Sequence, residues 1–265
     1  MIATVSRAVG ARGETARRRD ARKRRSGSKA VRALASGPMA PNEEVVEFFK
    51  RAEAVAFDVD STVCEDEGID ELAEFAGAGE AVAAITKQAM EGGMPFGEAL
   101  QLRLEAMKVS RQQVEEYVRT HPPKYSPGIK ELMAALKASG KEVYLVSGGF
   151  RQMIAPIAEG LGISSDHIEA NSLVFEEDGS FRGYDPREFP SIAGGKADAV
   201  QHIKATKGYE TMVMIGDGVT DLEAKRPGGA DIVIGYGGAQ RRPRVEAEAD
   251  WYVLDLLVLA RALGH

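Results

Sequence analysis

Two aspartates, Asp58 and Asp60, follow directly on the apolar stretch Val55-Ala56-Phe57, with Ser61 and Thr62 behind them. Carboxylates so placed can attack an electrophile, carry a proton or hold a hard cation, and a pair can divide those tasks. A lone acid after a strand is commonly only a turn former. Here a second acidic group, in Gly216-Asp217-Gly218-Val219-Thr220-Asp221, closes another apolar run, Thr211 to Ile215. Asp217 and Asp221 read as oxygen donors for Mg²⁺, with glycines that let backbone and ion approach closely. So many acids at strand ends repel one another and call for a cation. Ser147-Gly148-Gly149-Phe150 offers a hydroxyl and two permissive backbone positions after Glu142 to Val146, as a phosphate-binding turn requires. Gly194-Gly195-Lys196 opens a helix with a cation in its first turn, against the dipole preference, so an anion such as phosphate is expected beside it. His121, His167, His202 and His265 lie away from all these strand ends, which disfavours zinc chemistry.

Strands and helices must carry those groups to one place. Val- and Phe-rich runs alternating with helical patterns predict a parallel sheet, with ligands bound beyond the carboxyl ends of its strands. Asn42 caps a helix that starts with Glu43-Glu44 and runs to about Ala52. Between the strand before Asp58 and the strand Glu142 to Val146, apolar spacing predicts four helices: Ile69 to Phe75, Glu80 to Met90, Phe96 to Met107 and Arg111 to Thr120. A bundle inserted there reads as a lid over the crevice. Helices follow at Ile129 to Ser139, with Gly140 as cap, and at Gln152 to Gly160. Ser172 to Phe175 and Phe181 to Tyr184 flank Asp178-Gly179 as a hairpin, expected to be a flap at the sheet's rim. Ile232 to Ile234 is a further strand, and Trp251-Tyr252-Val253 begins the closing segment.

The 265 residues suit one large α/β domain carrying an insertion. Cys64, the single cysteine, excludes an intramolecular disulfide framework and a cysteine zinc site, and reads as a small buried hydrophobe in a reducing compartment. No apolar run approaches the ~20 residues that span a bilayer, so a soluble chain is expected. The net charge of −6 joins unlike parts: residues 1–37 hold eleven Lys and Arg against Glu14 and Asp20, a balance of +9, leaving −15 for the rest. An acidic body is unlike a nucleic-acid binder. The Arg-, Ala-, Ser- and Gly-rich stretch is expected to be a basic transit peptide over residues 1–40, disordered and outside the fold, with a plain tail or an RNA-binding arm as alternatives. A plastid is the first destination, a mitochondrion or the cytoplasm the alternatives.

Asp58-x-Asp60-x-Thr62, Ser147-Gly148-Gly149, Lys196 and Gly216-Asp217-Gly218-x-Thr220-Asp221 resemble, in order and spacing, the four motifs of the haloacid dehalogenase superfamily. From about Val55 to Leu257 the chain resembles the phosphoserine phosphatase family within it, also through Glu67-Gly68-Ile69-Asp70-Glu71-Leu72, Pro95-Phe96 with Arg103, and Phe150-Arg151. The resemblance implies a Rossmann-like parallel α/β core at residues 41–68 and 126–265, with a small helical-bundle cap at 69–125. It implies Mg²⁺-dependent hydrolysis of O-phospho-L-serine to L-serine and phosphate, the last step of phosphorylated serine biosynthesis.

Carried over by motif, Asp58 would be the nucleophile that forms an aspartyl-phosphate, and Asp60 the general acid and base. Mg²⁺ would be held by the carboxylates of Asp58 and Asp217 and the backbone carbonyl of Asp60, with Asp221 behind them. Ser147, Gly148 and Lys196 would bind phosphate. Glu67 would take the substrate's ammonium and Arg103 its carboxylate, Met90 and Phe96 would form the apolar wall, and Thr220 and Arg242 would complete the substrate contacts. Glu91 stands where the family usually has a small residue. Two alternatives stay open: a phosphatase of another small phosphomonoester, and a phospho-aspartate signalling module. The expected partner is the small-molecule substrate, with neither nucleic acid nor membrane, and a homodimer stays open.

Overall fold

The computed structural model describes residues 42–89 and 94–265. The transit-peptide expectation and the positions of Met90 and Glu91 lie outside the described residues.

Helix α1 (Glu43–Arg51) starts where Asn42 accepts the Glu44 N–H, and it leads into β1 (Ala54–Phe57), whose four residues are all buried. Helices α2 (Gly68–Phe75), α3 (Gly79–Gln88), α4 (Phe96–Met107) and α5 (Arg111–Thr120) follow before the next strand. The α5 start is set locally: Ser110 and Gln113 form a reciprocal capping box. The chain then runs through α6 (Ile129–Ala138), β2 (Glu142–Phe150), α7 (Arg151–Gly160), β3 (Ile168–Asn171) and the hairpin β4 (Leu173–Phe175) and β5 (Phe181–Tyr184). After it come α8 (Gly195–Lys207), β6 (Met212–Gly216), α9 (Val219–Leu222), β7 (Ile232–Tyr236), α10 (Pro243–Glu248), β8 (Trp251–Val253) and α11 (Leu257–Ala262).

Six strands form one parallel sheet in the order β3-β2-β1-β6-β7-β8. The chain winds outward from β1 through β2 and β3, then returns to the other side of β1 at β6. Strand order therefore reverses beside β1, which opens a crevice beyond the carboxyl ends of β1 and β6. Phe57 is in register with Ile215, and Asp58 donates its N–H to the Ile215 carbonyl at 2.9 Å. This register sets Asp58 beside the Gly216-Asp217 end of β6.

Both faces of the sheet are buried, and side chains alternate between them. Phe57, Leu145, Val213 and Ile215 pack with Phe49, Ile129, Leu136 and Leu259 on one face. Ala56, Tyr144, Met212 and Met214 pack with Val200 and Ile203 of α8 on the other. A third cluster joins Leu72, Val82, Leu100, Leu104 and Val114 of the inserted helices to Phe150 and Met153. The segments leading into and out of the inserted helices are tied together: Glu65 N–H donates to the Lys124 carbonyl and Ser126 N–H to the Val63 carbonyl, both at 2.9 Å, and Lys124 pairs with Asp66 at 3.1 Å.

Two expectations change. The strand predicted to stop at Val146 continues to Phe150, so Ser147-Gly148-Gly149 is strand end and not a turn. The reason for Gly149 is room: a Cβ there would stand 3.2 Å from Ser147 Oγ and 3.3 Å from Asp60 Oδ2. The hairpin does turn at Gly179 with φ +84°, yet it is no rim flap. Leu173 is buried in the cluster of the inserted helices, with Phe175, Phe181 and Tyr184 packed against it. Arg111 N–H donates to the Gly179 carbonyl at 2.9 Å. Four helices alone leave that apolar face open, and the hairpin covers it.

Candidate active site

The crevice at the strand reversal is a cleft of 450 Å³ lined by Asp58, Asp60, Glu67, Phe96, Arg103, Gly148, Lys196, Asp217, Thr220 and Arg242. Most of the residues singled out from sequence thus share one space. Ser147 lies just behind its wall, Asp221 is buried beneath Lys196, and Met90 is outside the described residues.

Asp58 leaves β1 in extended conformation, and its Oδ1 accepts the Val59 N–H at 2.7 Å. The next residues make one wide turn, Val59–Val63, interrupted by Asp60 (φ −64°, ψ 134°) and Ser61 (φ 54°, ψ 11°). The chain leaves the strand here, and both Asp58 and Asp60 line the same cleft. Asp60 Oδ1 accepts the Gly68 N–H at 2.8 Å, and Ser147 Oγ reaches its other oxygen at 3.5 Å. Burial and the neighbouring Asp58 charge push the Asp60 carboxyl up to about 7, which suits a group that must both give and take a proton near neutrality.

Lys196 Nζ lies 2.7 Å from Asp58 Oδ2 and 3.0 Å from Asp221 Oδ1. The anion expected beside this helix-start cation is therefore supplied by two carboxylates of the protein. Although burial opposes it, Asp221 and Asp58 hold the ammonium well above the ordinary lysine range, so it stays cationic. Asp221 spends its second oxygen on the Gly218 N–H at 2.9 Å. Asp221 thus bonds to Lys196 and to its own loop. A Cβ at Gly216 would stand 2.2 Å from the Asp221 carboxyl, so glycine is required there.

Carboxylate oxygens of Asp58, Asp217 and Asp221 can lie within 4.8 Å of one another, and all three residues are buried. Hard oxygens without nitrogen or sulfur donors suit a hard divalent cation. Burial and the Asp58 charge raise the Asp217 pKa, against the pull of Arg242.

Glu67 immediately precedes α2, and its Oε1 accepts the Ser61 hydroxyl at 2.8 Å. Burial raises its pKa. Arg103 and Phe96 reach the cleft from α4, seven residues apart on one helix face. Arg103 Nε donates to the Ala99 carbonyl at 3.2 Å, leaving its terminal nitrogens for the cleft. Burial lowers its pKa, with Asp70 and Glu67 opposing. Of the neighbouring arginines, Arg242 enters: its Nε donates to Asp217 Oδ2 at 2.7 Å, whereas Arg244 pairs with Glu248 on its own helix. Thr220 lines the opening. Among the histidines of the described residues, none lines the cleft.

Sequence reasoning missed two features. Ser61 carries the strained φ and the bond to Glu67, and only its place between two acids and Thr62 hinted at a role. Pro190, Ile192 and Ala193 form the wall before Lys196, and no pattern in the sequence marks them.

The sequence pattern of the haloacid dehalogenase-like hydrolases matches residues 55–226. A chloroplastic phosphoserine phosphatase of Arabidopsis thaliana is 54% identical over 227 residues, covering 86% of this chain and 77% of its own length. Among solved structures, DsGPDH of Dunaliella salina matches with a TM-score of 0.74 at 34% identity, over 84% of this chain but only 38% of that longer one. A phospho-aspartyl intermediate analogue of phosphoserine phosphatase matches with a TM-score of 0.67 at 29% identity, over 79% of this chain and 98% of that one.

Proposed function

This chain belongs to the haloacid dehalogenase-like hydrolase family, and from that premise we propose that it hydrolyses O-phospho-L-serine to L-serine and phosphate. One observation carries the reading: Asp58 and Asp60 face a cleft that also holds Lys196, Glu67 and Arg103. A phosphate has an attacking carboxylate and a cation there, and a zwitterion has a charge of each sign within the same cleft.

In this reading an Asp58 carboxylate oxygen attacks phosphorus, forming the Asp58–phosphorus bond while the bond to the seryl oxygen breaks. Protonated Asp60 gives its proton to the departing seryl oxygen. Asp60, now anionic, takes a proton from water as that water attacks the aspartyl-phosphate, and phosphate leaves with Asp58 restored. Lys196 offsets the repulsion between an anionic nucleophile and an anionic phosphate, with the Ser147 hydroxyl and the Gly148 backbone alongside. Asp58, Asp217 and the Asp60 carbonyl would hold Mg²⁺, which supplies Lewis-acid charge neutralisation at the phosphate when bound. Glu67 takes the substrate ammonium, Arg103 its carboxylate, and Phe96 shields the pocket, with Thr220 and Arg242 at its edge.

The proposed core comprises residues 41–68 and 126–265, with residues 69–125 as a cap that closes over substrate. A signalling module would have no use for Asp60 as a leaving-group acid or for a substrate-sized cleft. Residues 1–40 are proposed to direct the chain to a plastid, on their +9 charge over residues 1–37 and the chloroplastic relative. A reporter fused to residues 1–40 should enter plastids, and a diffuse cytosolic signal would count against targeting.

The test of substrate compares phosphoserine, phosphoethanolamine, which lacks the carboxylate, and p-nitrophenyl phosphate, which lacks both groups. Arg103→Ala should lower kcat/KM on phosphoserine by about ten- to a hundredfold, since a hydrogen bond to a charged group contributes roughly 1.5–3 kcal/mol. Phosphoethanolamine should lose much less and p-nitrophenyl phosphate almost nothing. Equal losses on all three would assign Arg103 to the fold or the phosphate instead.

A further inference from the structure

We propose that a second cavity, between the two segments that join the inserted helices to the core, binds a small organic monocation with an apolar body. Its volume is 250 Å³, and among its lining residues Asp60 alone also lines the catalytic cleft. It lies below the roughly 300 Å³ at which drug-sized pockets begin, so the occupant must be compact. The site makes no demand on the reaction and stands whether or not phosphoserine is the substrate.

Most of the wall is apolar, with Val118 on one side and Met153, Ile154 and Ile157 of α7 on the other. The polar groups decide the charge of the occupant. Lys124 at the rim is already neutralised by Asp66 at 3.1 Å. His121 is stacked on Tyr117 at 4.6 Å, with Nδ1 engaged by the Thr120 hydroxyl and the Tyr117 carbonyl. Glu71 and the Tyr117 hydroxyl, in contrast, have no side-chain hydrogen bond or ion pair to any of the described residues. Burial, with the charges of Glu71, Asp66 and Asp60, pushes the Tyr117 phenol up to about 12, so it stays neutral and offers an acceptor lone pair. An ammonium set between the Glu71 carboxylate and the Tyr117 oxygen would bond to both, while its apolar body covers Met153, Ile154 and Ile157. The same molecule would touch the inserted helices and the core together.

Isothermal titration of the full chain with 2-phenylethylammonium, 2-phenylethanol and phenylacetate tests this, since the three probes share a body and differ in charge. The cation should bind at one site, about tenfold or more tighter than either other probe. Glu71→Gln, on a half-buried helix position and checked for an unchanged melting temperature, should remove that preference. Ile157→Trp should fill the cavity and abolish binding, and saturating orthophosphate, which addresses the other cleft, should displace nothing. Failure of the cation to bind, equal affinity for the alcohol, unchanged affinity in Glu71→Gln, or displacement by orthophosphate would each overturn the proposal.

Discussion

Arg242 donates from Nε to Asp217 Oδ2 at 2.7 Å while its terminal nitrogen stands 3.6 Å from Glu67 Oε1. One guanidinium thereby joins the carboxylate at the end of β6 to the carboxylate at the start of α2. A planar fork can address both, and a lysine ammonium cannot reproduce it.

Arg242→Ala should therefore raise KM for phosphoserine by about tenfold with a smaller change in kcat, and Arg242→Lys should recover only part of the loss. Steady-state kinetics on phosphoserine and p-nitrophenyl phosphate check this. If kcat falls equally on both esters, Arg242 serves Asp217 and the phosphate chemistry, not the amino-acid end of the substrate.

Asp58→Asn keeps the shape of the side chain but removes the nucleophile, so kcat should fall by about 10⁴-fold or more. The fold should survive, because an amide can still accept the Val59 N–H and Lys196 keeps Asp221, with any fall in melting temperature reflecting the lost Lys196–Asp58 pair. Phosphate release near the parent rate would rule out the covalent route.

Asp60 links catalysis to stability. Its carboxyl sits at about 7 in the fold against an ordinary 3.8, chiefly through burial and the Asp58 charge. The unfolded chain gives up this proton first as pH rises, so the contribution to stability is full below about pH 4, falls through the window up to about 7 and stays lost above it. Asp60→Asn, without divalent cations, should match the parent's melting temperature at pH 4 and exceed it at pH 8. For a chain of this size each kcal/mol is worth about 2–4 °C. Turnover should be crippled at both values, and a lower melting temperature at pH 8 would contradict this account of Asp60.

Ser61 holds a left-handed conformation, φ 54°, while donating to Glu67 at 2.8 Å. Ser61→Ala keeps the strain and loses the bond, whereas Ser61→Gly loses both. Each should lower kcat/KM for phosphoserine by about tenfold and change p-nitrophenyl phosphate by about twofold at most. The Gly variant should be the more stable of the two by about 1 kcal/mol, read by chemical denaturation. Unchanged phosphoserine kinetics in both would remove Ser61 from the site.

The positions of the acids were legible in the chain because each follows an uninterrupted apolar run, and such a run in an α/β pattern is a buried strand whose carboxyl end meets the crevice. Arg111 to Thr120 was legible to the residue for a local reason, the Ser110–Gln113 box, and the helix of Phe96 to Met107 from its apolar spacing, while Phe96 and Arg103 themselves were singled out by the family resemblance alone. The family motifs then named roles for those positions. Tertiary structure alone decided that Lys196 faces Asp58 and Asp221, that Arg242 and not Arg244 enters the cleft, and that the β4–β5 hairpin completes the core of the inserted helices. It also decided that Ser61 bends to meet Glu67 and that Ser147-Gly148-Gly149 stays in the strand. Periodicity and capping act over a few residues, whereas these outcomes depend on distances between elements far apart in the chain, where packing, charge and room for a single Cβ choose among conformations that look equivalent locally.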